Sequence, residues 1–237
     1  SPADKVNGRA AAREGGLGQR APTGCENCIS RTGPLSVPLT TIASRTGSID
    51  VTTPSRNHIR WFRNTAPYIN THRSRTFVLM LGGDGAQDPN FATILHDMAL
   101  LHSLGVRLVL VHGNRPQIDA RLEQAGIPSR FHDNMRITDS ASMHHVTDAA
   151  ASLRAQIEAL LSMGLPNSPM QGARIRVCSG NFVTARPLGI VDGVDYQHTG
   201  RVRRVDREGI QQQLAMGSIV LLSPLGFSPT GEIFNLA

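Results

Sequence analysis

A chain of 237 residues is long enough to bury a full hydrophobic core as one large domain, alone or with a tail. Its net charge of +6 is split evenly: residues 1–57 hold seven Lys/Arg against four Asp/Glu, and residues 58–237 hold 17 against 14. No helix face or loop after residue 58 concentrates the excess and aromatic residues are few, which argues against a nucleic-acid groove with its basic stripe and stacking rings.

No apolar run reaches 18 residues, so no helix is expected to cross a membrane. The cysteines are Cys25, Cys28 and Cys178, too few and too odd in number for a disulfide framework, which fits a reducing compartment. Cys25-Glu-Asn-Cys28 has zinc-knuckle spacing but no second Cys/His pair, so no metal site is expected. The chain begins at Ser1 without a signal-peptide apolar region, and the expectation is a fragment of a cytoplasmic protein. All basic residues but Lys5 are arginine, which biased codon usage explains and which leaves no lysine to any folded site.

Residues 1–57 contain no Phe, Trp or Tyr, are rich in Gly, Pro, Ser and Thr, and keep no hydrophobic period; they read as a disordered head. Arg13-Glu-Gly-Gly-Leu-Gly18 matches an acetyl-CoA pyrophosphate loop, but no strand delivers it and no helix follows, so the match reads as chance. Order is expected from His58. Ile59, Phe62, Ala66 and Ile69 share a helical stripe beside Trp61, with Pro67 kinking or ending the helix.

From Thr76 strands and helices alternate. Strand 76–81 precedes a helix opened by Asp88-Pro89, whose apolar face is Phe91, Ile94, Leu95, Met98 and Leu101. Strand 106–111 follows Gly105. Helices over 115–125, 140–163 and from Asp206 onward stop at Gly126, Gly164 and Gly217, and strand 218–222 follows the last. The three strands lack clear alternation and read as buried on both faces, which gives an α/β fold: a mostly parallel sheet sandwiched by helices. Short polar strands at 174–178, 182–185 and 201–205 suit exposed hairpins at one edge.

Three loops offer chemistry. Gly82-Gly83 lets the backbone approach an anion, or is an ordinary tight turn. His112-Gly113-Asn114-Arg115-Pro116 is a second such turn entering a helix, with Arg115 free to pair with a carboxylate or merely solvated. Arg136 stands just before a helix capped by Asp139 or Ser140, placed either for bidentate carboxylate binding or for a structural salt bridge. Met80 occupies the place where a phosphoryl-transfer enzyme of this layout wants a lysine. His144 and His145 point about 100° apart on their helix and cannot chelate one metal together, and His96 and Asp97 default to solvent.

Six ordered motifs carry a resemblance: Trp61-Phe-Arg…Pro67-Tyr-Ile-Asn-Thr-His-Arg73, Phe77-Val-Leu-Met-Leu-Gly-Gly83, Leu101-His-Ser-Leu-Gly105, Arg115-Pro-Gln-Ile-Asp119, Asp192-Gly-Val-Asp-Tyr196 and Thr230-Gly-Glu-Ile-Phe-Asn-Leu236. From about Arg60 to Ala237 the chain resembles the amino-acid-kinase-like domain of bacterial N-acetylglutamate synthases, two-domain N-acetyltransferases of arginine biosynthesis. The resemblance implies a carbamate-kinase-like fold over 58–237, truncated at its C-terminal end and without the acetyltransferase domain, whose substrates in the intact enzyme are acetyl-CoA and L-glutamate. It implies a regulatory and assembly module with no catalytic residue, no cofactor and no metal of its own. Gly82, Gly83, Gly113, Asn114, Arg115, Arg136 and Asn235 fall on a substrate-like pocket, and Tyr68 on the site of the effector L-arginine, incomplete here because other contacts follow Ala237. The helix over 59–70 is implied to interlock subunits of a homo-oligomer. The related kinases carry lysine at the Met80 position, so an acylamino-acid kinase is the alternative that Met80 opposes; a stand-alone arginine sensor is another.

Overall fold

The computed structural model describes residues 54–164 and 172–237. The reading of residues 1–57 as a disordered head, the Cys25/Cys28 pair and the Arg13–Gly18 loop lie outside the described residues, apart from the start of the first helix. That helix, α1 (Pro54–His72), begins before His58 and runs through Pro67 without ending there. Its apolar stripe faces outward: Ile59, Trp61 and Phe62 are all more than half exposed.

Four strands form a wholly parallel sheet in the order β1 (Thr76–Leu81), β2 (Arg107–His112), β10 (Ser218–Leu222), β5 (Arg176–Ser179). Side chains of successive strand residues point to opposite faces, and the two central strands sort accordingly. Leu108, Leu110, Ile219 and Leu221 pack with Leu95 and Met98 of α2 (Phe91–Ser103) and with Leu153, Ile157 and Leu161 of α4 (Ser140–Ser162). On the other face Val109 and Val220 meet Leu214 of α5 (Arg207–Ala215). The sheet is therefore sandwiched by helices, as expected for apolar central strands. A smaller cluster, Ile118, Leu122, Val146 and Ala149, joins α3 (Arg115–Gln124) to α4.

The second structural layer is a small closed barrel of β11 (Leu225–Phe227), β12 (Ile233–Leu236), β9 (Thr199–Val205) and β6 (Val183–Pro187). Two hairpins complete the described residues: β3 (Arg130–His132) with β4 (Met135–Ile137), and β7 (Ile190–Val191) with β8 (Val194–Asp195). The first turns through Asp133 and Asn134, both at positive φ (47° and 61°), a conformation that Asp and Asn tolerate better than most side chains.

The structure corrects several expectations. β1 is not buried on both faces: it is an edge strand, with Val78 69 % and Met80 78 % exposed while Phe77, Leu79 and Leu81 pack on the core. An apolar run looks the same in sequence whether one face is covered or two. The segment read as a polar hairpin at 174–178 is instead β5, the opposite edge of the parallel sheet. Asp88 does not cap α2; its Oδ1 accepts from Asn90 N at 2.7 Å in the preceding turn, and the helix begins at Phe91. Ile94 and Leu101 lie at the margin of the α2 face, 40 % and 37 % exposed. His96 is half-buried rather than turned to solvent. Finally, the positive charge is not diffuse, because the barrel gathers Arg186, Arg201, Arg203 and Arg204 on β6 and β9.

The helix ends agree with the sequence. Gly105, Gly126, Gly164 and Gly217 all have positive φ, between 68° and 92°, the conformation that ends a helix with least strain on glycine. Asp139 caps α4, its Oδ1 accepting from Ser142 N at 2.8 Å, and Asp206 caps α5 through Gly209 N. These bonds and Arg130 hold the Asp139 carboxyl below its usual pKa range, the Ser142 bonds being the largest cause. Asp139→Ala is expected to cost about 1 kcal/mol at neutral pH, measured by urea unfolding. The contribution of a carboxyl with a depressed folded pKa is present above its unfolded value, about 3.9, and disappears as pH falls through the folded value, so the variant and parent should converge in acid.

Candidate functional site

Leu81 and His112 stand opposite each other where β1 and β2 end, and the chain turns there on Gly82-Gly83 and on Gly113-Asn114. The two turns are locked together. Gly113 N donates to Leu81 O at 2.8 Å, and Gln117 Nε2 donates to Gly83 O at 2.8 Å. A Cβ on Gly83 would stand 2.7 Å from Pro116 Cδ and 3.1 Å from Arg115 N, and one on Gly113 would stand 3.3 Å from Gly83 N. A side chain at Gly83 would collide with the proline ring at the start of α3, and one at Gly113 would crowd the Gly83 backbone, so the close approach of the two turns favours glycine at both. Gly82 has open space where a side chain would be.

Asn114 lies at the N-terminus of α3, only 4 % exposed, with its Nδ2 unpartnered among the described residues. Arg115 follows at the first position of α3 and donates twice to Asn134 Oδ1, at 3.2 and 3.1 Å. Its guanidinium carbon sits 4.6 Å from the centre of the Phe131 ring, and that of Arg136 sits 4.6 Å from the same centre. Phe131 thus draws together the two arginines that the sequence offered as carboxylate binders. They are not equally free. Arg136 is only 7 % exposed, pairs with Asp119 Oδ1 and donates to Ser129 Oγ at 2.8 Å, whereas Arg115 donates to a neutral amide and has no carboxylate partner among the described residues.

Asn235 reaches this group through hydroxyls. Its Nδ2 donates to Thr138 Oγ1 at 3.0 Å, the Thr138 and Thr199 hydroxyls are 2.9 Å apart, and Thr199 Oγ1 donates to the carbonyl of Arg136 at 2.6 Å. The structure therefore places Gly83, Gly113, Asn114 and Arg115 around one junction and Arg136 and Asn235 on one buried network, with Phe131 between the two arginines. Tyr68 stands apart on α1, 70 % exposed. Gln117 and Asp119 entered the sequence analysis only as members of the Arg115–Asp119 motif, with no site role, and Phe131 and Asn134 were not singled out. The one available signal was Phe131 between Arg130 and the Asp133-Asn134 turn, a lone aromatic in a polar hairpin.

His112 is buried beneath the second turn, its Nε2 3.0 Å from Ser223 Oγ. Burial, the largest cause, pushes its pKa below the ordinary 6.5; the nearby Arg154 charge acts the same way, and the Gly113 carbonyl opposes them. The folded protein therefore takes up this proton less readily than the unfolded chain does. The expected result is a loss of stability as pH falls below about 6.5, checked by melting temperature against pH, with His112→Gln flattening that slope. His144 instead lies 3.3 Å from Asp148 on its own helix. Among the described residues His132, Asp133 and Asp192 are the group that brings three ligand atoms within 4.8 Å of one another; two of the three are exposed carboxylates.

Residues 75–237 match the amino acid kinase family. The chain is 64 % identical over 182 residues to the amino-acid acetyltransferase of Azotobacter vinelandii, covering 77 % of this chain and 42 % of that protein. It is 62 % identical over 181 residues to the amino-acid acetyltransferase of Pseudomonas aeruginosa PAO1, with 76 % and 42 % covered. In three dimensions it is similar to N-acetylglutamate synthase from Neisseria gonorrhoeae complexed with coenzyme A and L-arginine, at a TM-score of 0.69 and 34 % identity over 75 % of this chain and 42 % of that one. The chain thus spans less than half the length of the relatives it matches. No helix among the described residues is long and apolar enough to cross a membrane. With the match extending over more than half of its length, the chain belongs to the amino acid kinase family.

Proposed function

We propose that this chain is the kinase-like domain of an amino-acid N-acetyltransferase of the N-acetylglutamate synthase kind, and that it transfers no phosphoryl group. The observation that carries this reading is the strand leading into the glycine turns: Met80 stands on β1 two residues before Gly82, on the outer face and without charge. A phosphoryl-transfer site needs fixed cations around the moving group, and a thioether cannot stabilise that charge. The close backbone approach of Gly83 and Gly113 remains, but Gly113 N is taken by Leu81 O and Arg136 is neutralised by Asp119. The pocket of Gly82, Gly83, Gly113, Asn114, Arg115, Arg136 and Asn235 is a retained kinase scaffold in this reading.

In the intact protein the reaction is acetyl transfer from acetyl-CoA to L-glutamate, in the cytoplasm, with acetyl-CoA bound outside this segment. L-arginine is the proposed effector, acting near Tyr68, and the exposed stripe of Ile59, Trp61 and Phe62 is the proposed contact between subunits of a homo-oligomer. Chain incubated with Mg-ATP and N-acetyl-L-glutamate is expected to release ADP at the rate of the enzyme-free control. Turnover dependent on N-acetyl-L-glutamate would establish the kinase reading instead. L-arginine is expected to leave the melting temperature of this segment unchanged; a complete site saturated at 100 times its Kd would add about 2.7 kcal/mol of stability.

A further inference from the structure

The barrel carries a concentration of charge that the glycine-turn pocket does not use. In the β6–β9 pair Arg186 lies directly opposite Arg201, and Thr184 lies opposite Arg204. A register shift between Thr184 and Ala185 adds Arg203 to the same stretch of β9. Like charges facing across a strand pair repel, so this arrangement is unfavourable unless an anion lies near it. All four arginines are exposed, and among the described residues none of them forms an ion pair.

Beside them opens a cleft of about 480 Å³ with Arg203 and Arg204 on one side and Asn181 and Ser228 among its other walls. Its floor is set by register: Thr184 pairs with Arg204 on one flank and with Phe227 on the other. No carboxylate lines it. Of the acids on neighbouring residues, Asp206 caps α5, and Glu232 accepts from Thr230 Oγ1 at 3.0 Å and, more weakly, from Oγ of the wall residue Ser228 at 3.4 Å.

Guanidinium groups offer planar pairs of donors that match phosphate oxygens, and the hydroxyl of Thr184 and the amide of Asn181 add neutral donors. The volume exceeds what a single phosphate fills and falls in the range of small-ligand sites. We infer that this cleft binds a phosphate chain, of diphosphate length or longer, either free or carried by a nucleotide.

Isothermal titration of the 237-residue chain at low salt with sodium pyrophosphate, ADP and citrate tests it. Pyrophosphate is expected to bind at least about ten-fold more tightly than citrate, the worth of one charge-assisted hydrogen bond. ADP binding as tightly as pyrophosphate identifies a nucleotide as the source, and weaker ADP binding a free polyphosphate. R203A/R204A is expected to weaken pyrophosphate by more than about ten-fold, while R60A/R63A, which removes the same charge from α1, leaves it unchanged. Should R203A/R204A unfold, R203Q/R204Q reads the same contrast with polar stems in place. Absent pyrophosphate binding, citrate binding of equal strength, or equal weakening by both double variants would overturn the inference.

Discussion

Asp119→Asn is expected to destabilise the domain by about 2–3 kcal/mol, the largest effect of any polar substitution around the candidate site. Arg136 has only 6 % of its side chain exposed, and Asp119 is its one ionic partner among the described residues. Removing that carboxylate leaves a guanidinium in the interior with Ser129 and the face of Phe131 as its remaining company. The expected cost stays below that of a fully buried pair because Asp119 is itself 44 % exposed, so water can enter where the carboxylate was. The loss should propagate, since the carbonyl of Arg136 accepts from Thr199 and the chain of hydroxyls from there positions Asn235. Urea unfolding of D119N, R136M and the double variant checks the point. The pair is confirmed if D119N/R136M recovers most of the stability lost by D119N alone, because no buried charge then remains unpaired.

Leu110→Ala is expected to cost about 2–5 kcal/mol, and in the upper half of that interval. Leu110 is fully buried on central strand β2, between β1 and β10 and under α2 and α4, so the surrounding side chains are held by four elements and cannot collapse into the space. Val78→Ala on neighbouring β1 removes two methyl groups from a position 69 % exposed and is expected to change stability by less than about 0.5 kcal/mol. Denaturant midpoints for the two variants measure the difference between a central and an edge strand. A cost for V78A approaching that of L110A would mean that the outer face of β1 is covered.

What could be read in advance was local. Helix ends were legible because Gly105, Gly126, Gly164 and Gly217 each solve a backbone problem within a residue or two of where they stand, and Asp139 and Asp206 bond amides three residues on. The apolar strands were legible as a parallel sheet because β2 and β10 carry Val, Ile and Leu on both faces. Neighbours distant in sequence were not legible. Nothing in Thr76–Leu81 says that no strand pairs with its outer edge, and nothing in Arg174–Cys178 says that Ser218–Leu222 will lie beside it.

The site divided along the same line. Gly83 and Gly113 could be named from their own strand-turn-helix settings, but their close approach, which would leave a Cβ on Gly113 only 3.3 Å from Gly83 N, depends on the parallel register of β1 and β2. Arg136 was open between carboxylate binding and a salt bridge; the partner that decides it, Asp119, sits 17 residues away on helix α3. The charge balance misled for a related reason. Arg186 and Arg201 are separated in sequence by a hairpin and an intervening turn, and only barrel pairing sets them face to face.

The proposed function makes these residues the kinase-like domain of an N-acetyltransferase. The most direct measurement grafts residues 54–237 in place of the matching segment of the Azotobacter vinelandii amino-acid acetyltransferase and assays CoA release from acetyl-CoA with L-glutamate. The chimaera is expected to form N-acetyl-L-glutamate at a rate within about ten-fold of the parent, an allowance of about 1.4 kcal/mol for the imperfect fit of the grafted segment. A chimaera that folds and assembles like the parent but transfers no acetyl group, or that consumes ATP in the presence of N-acetyl-L-glutamate, would contradict it.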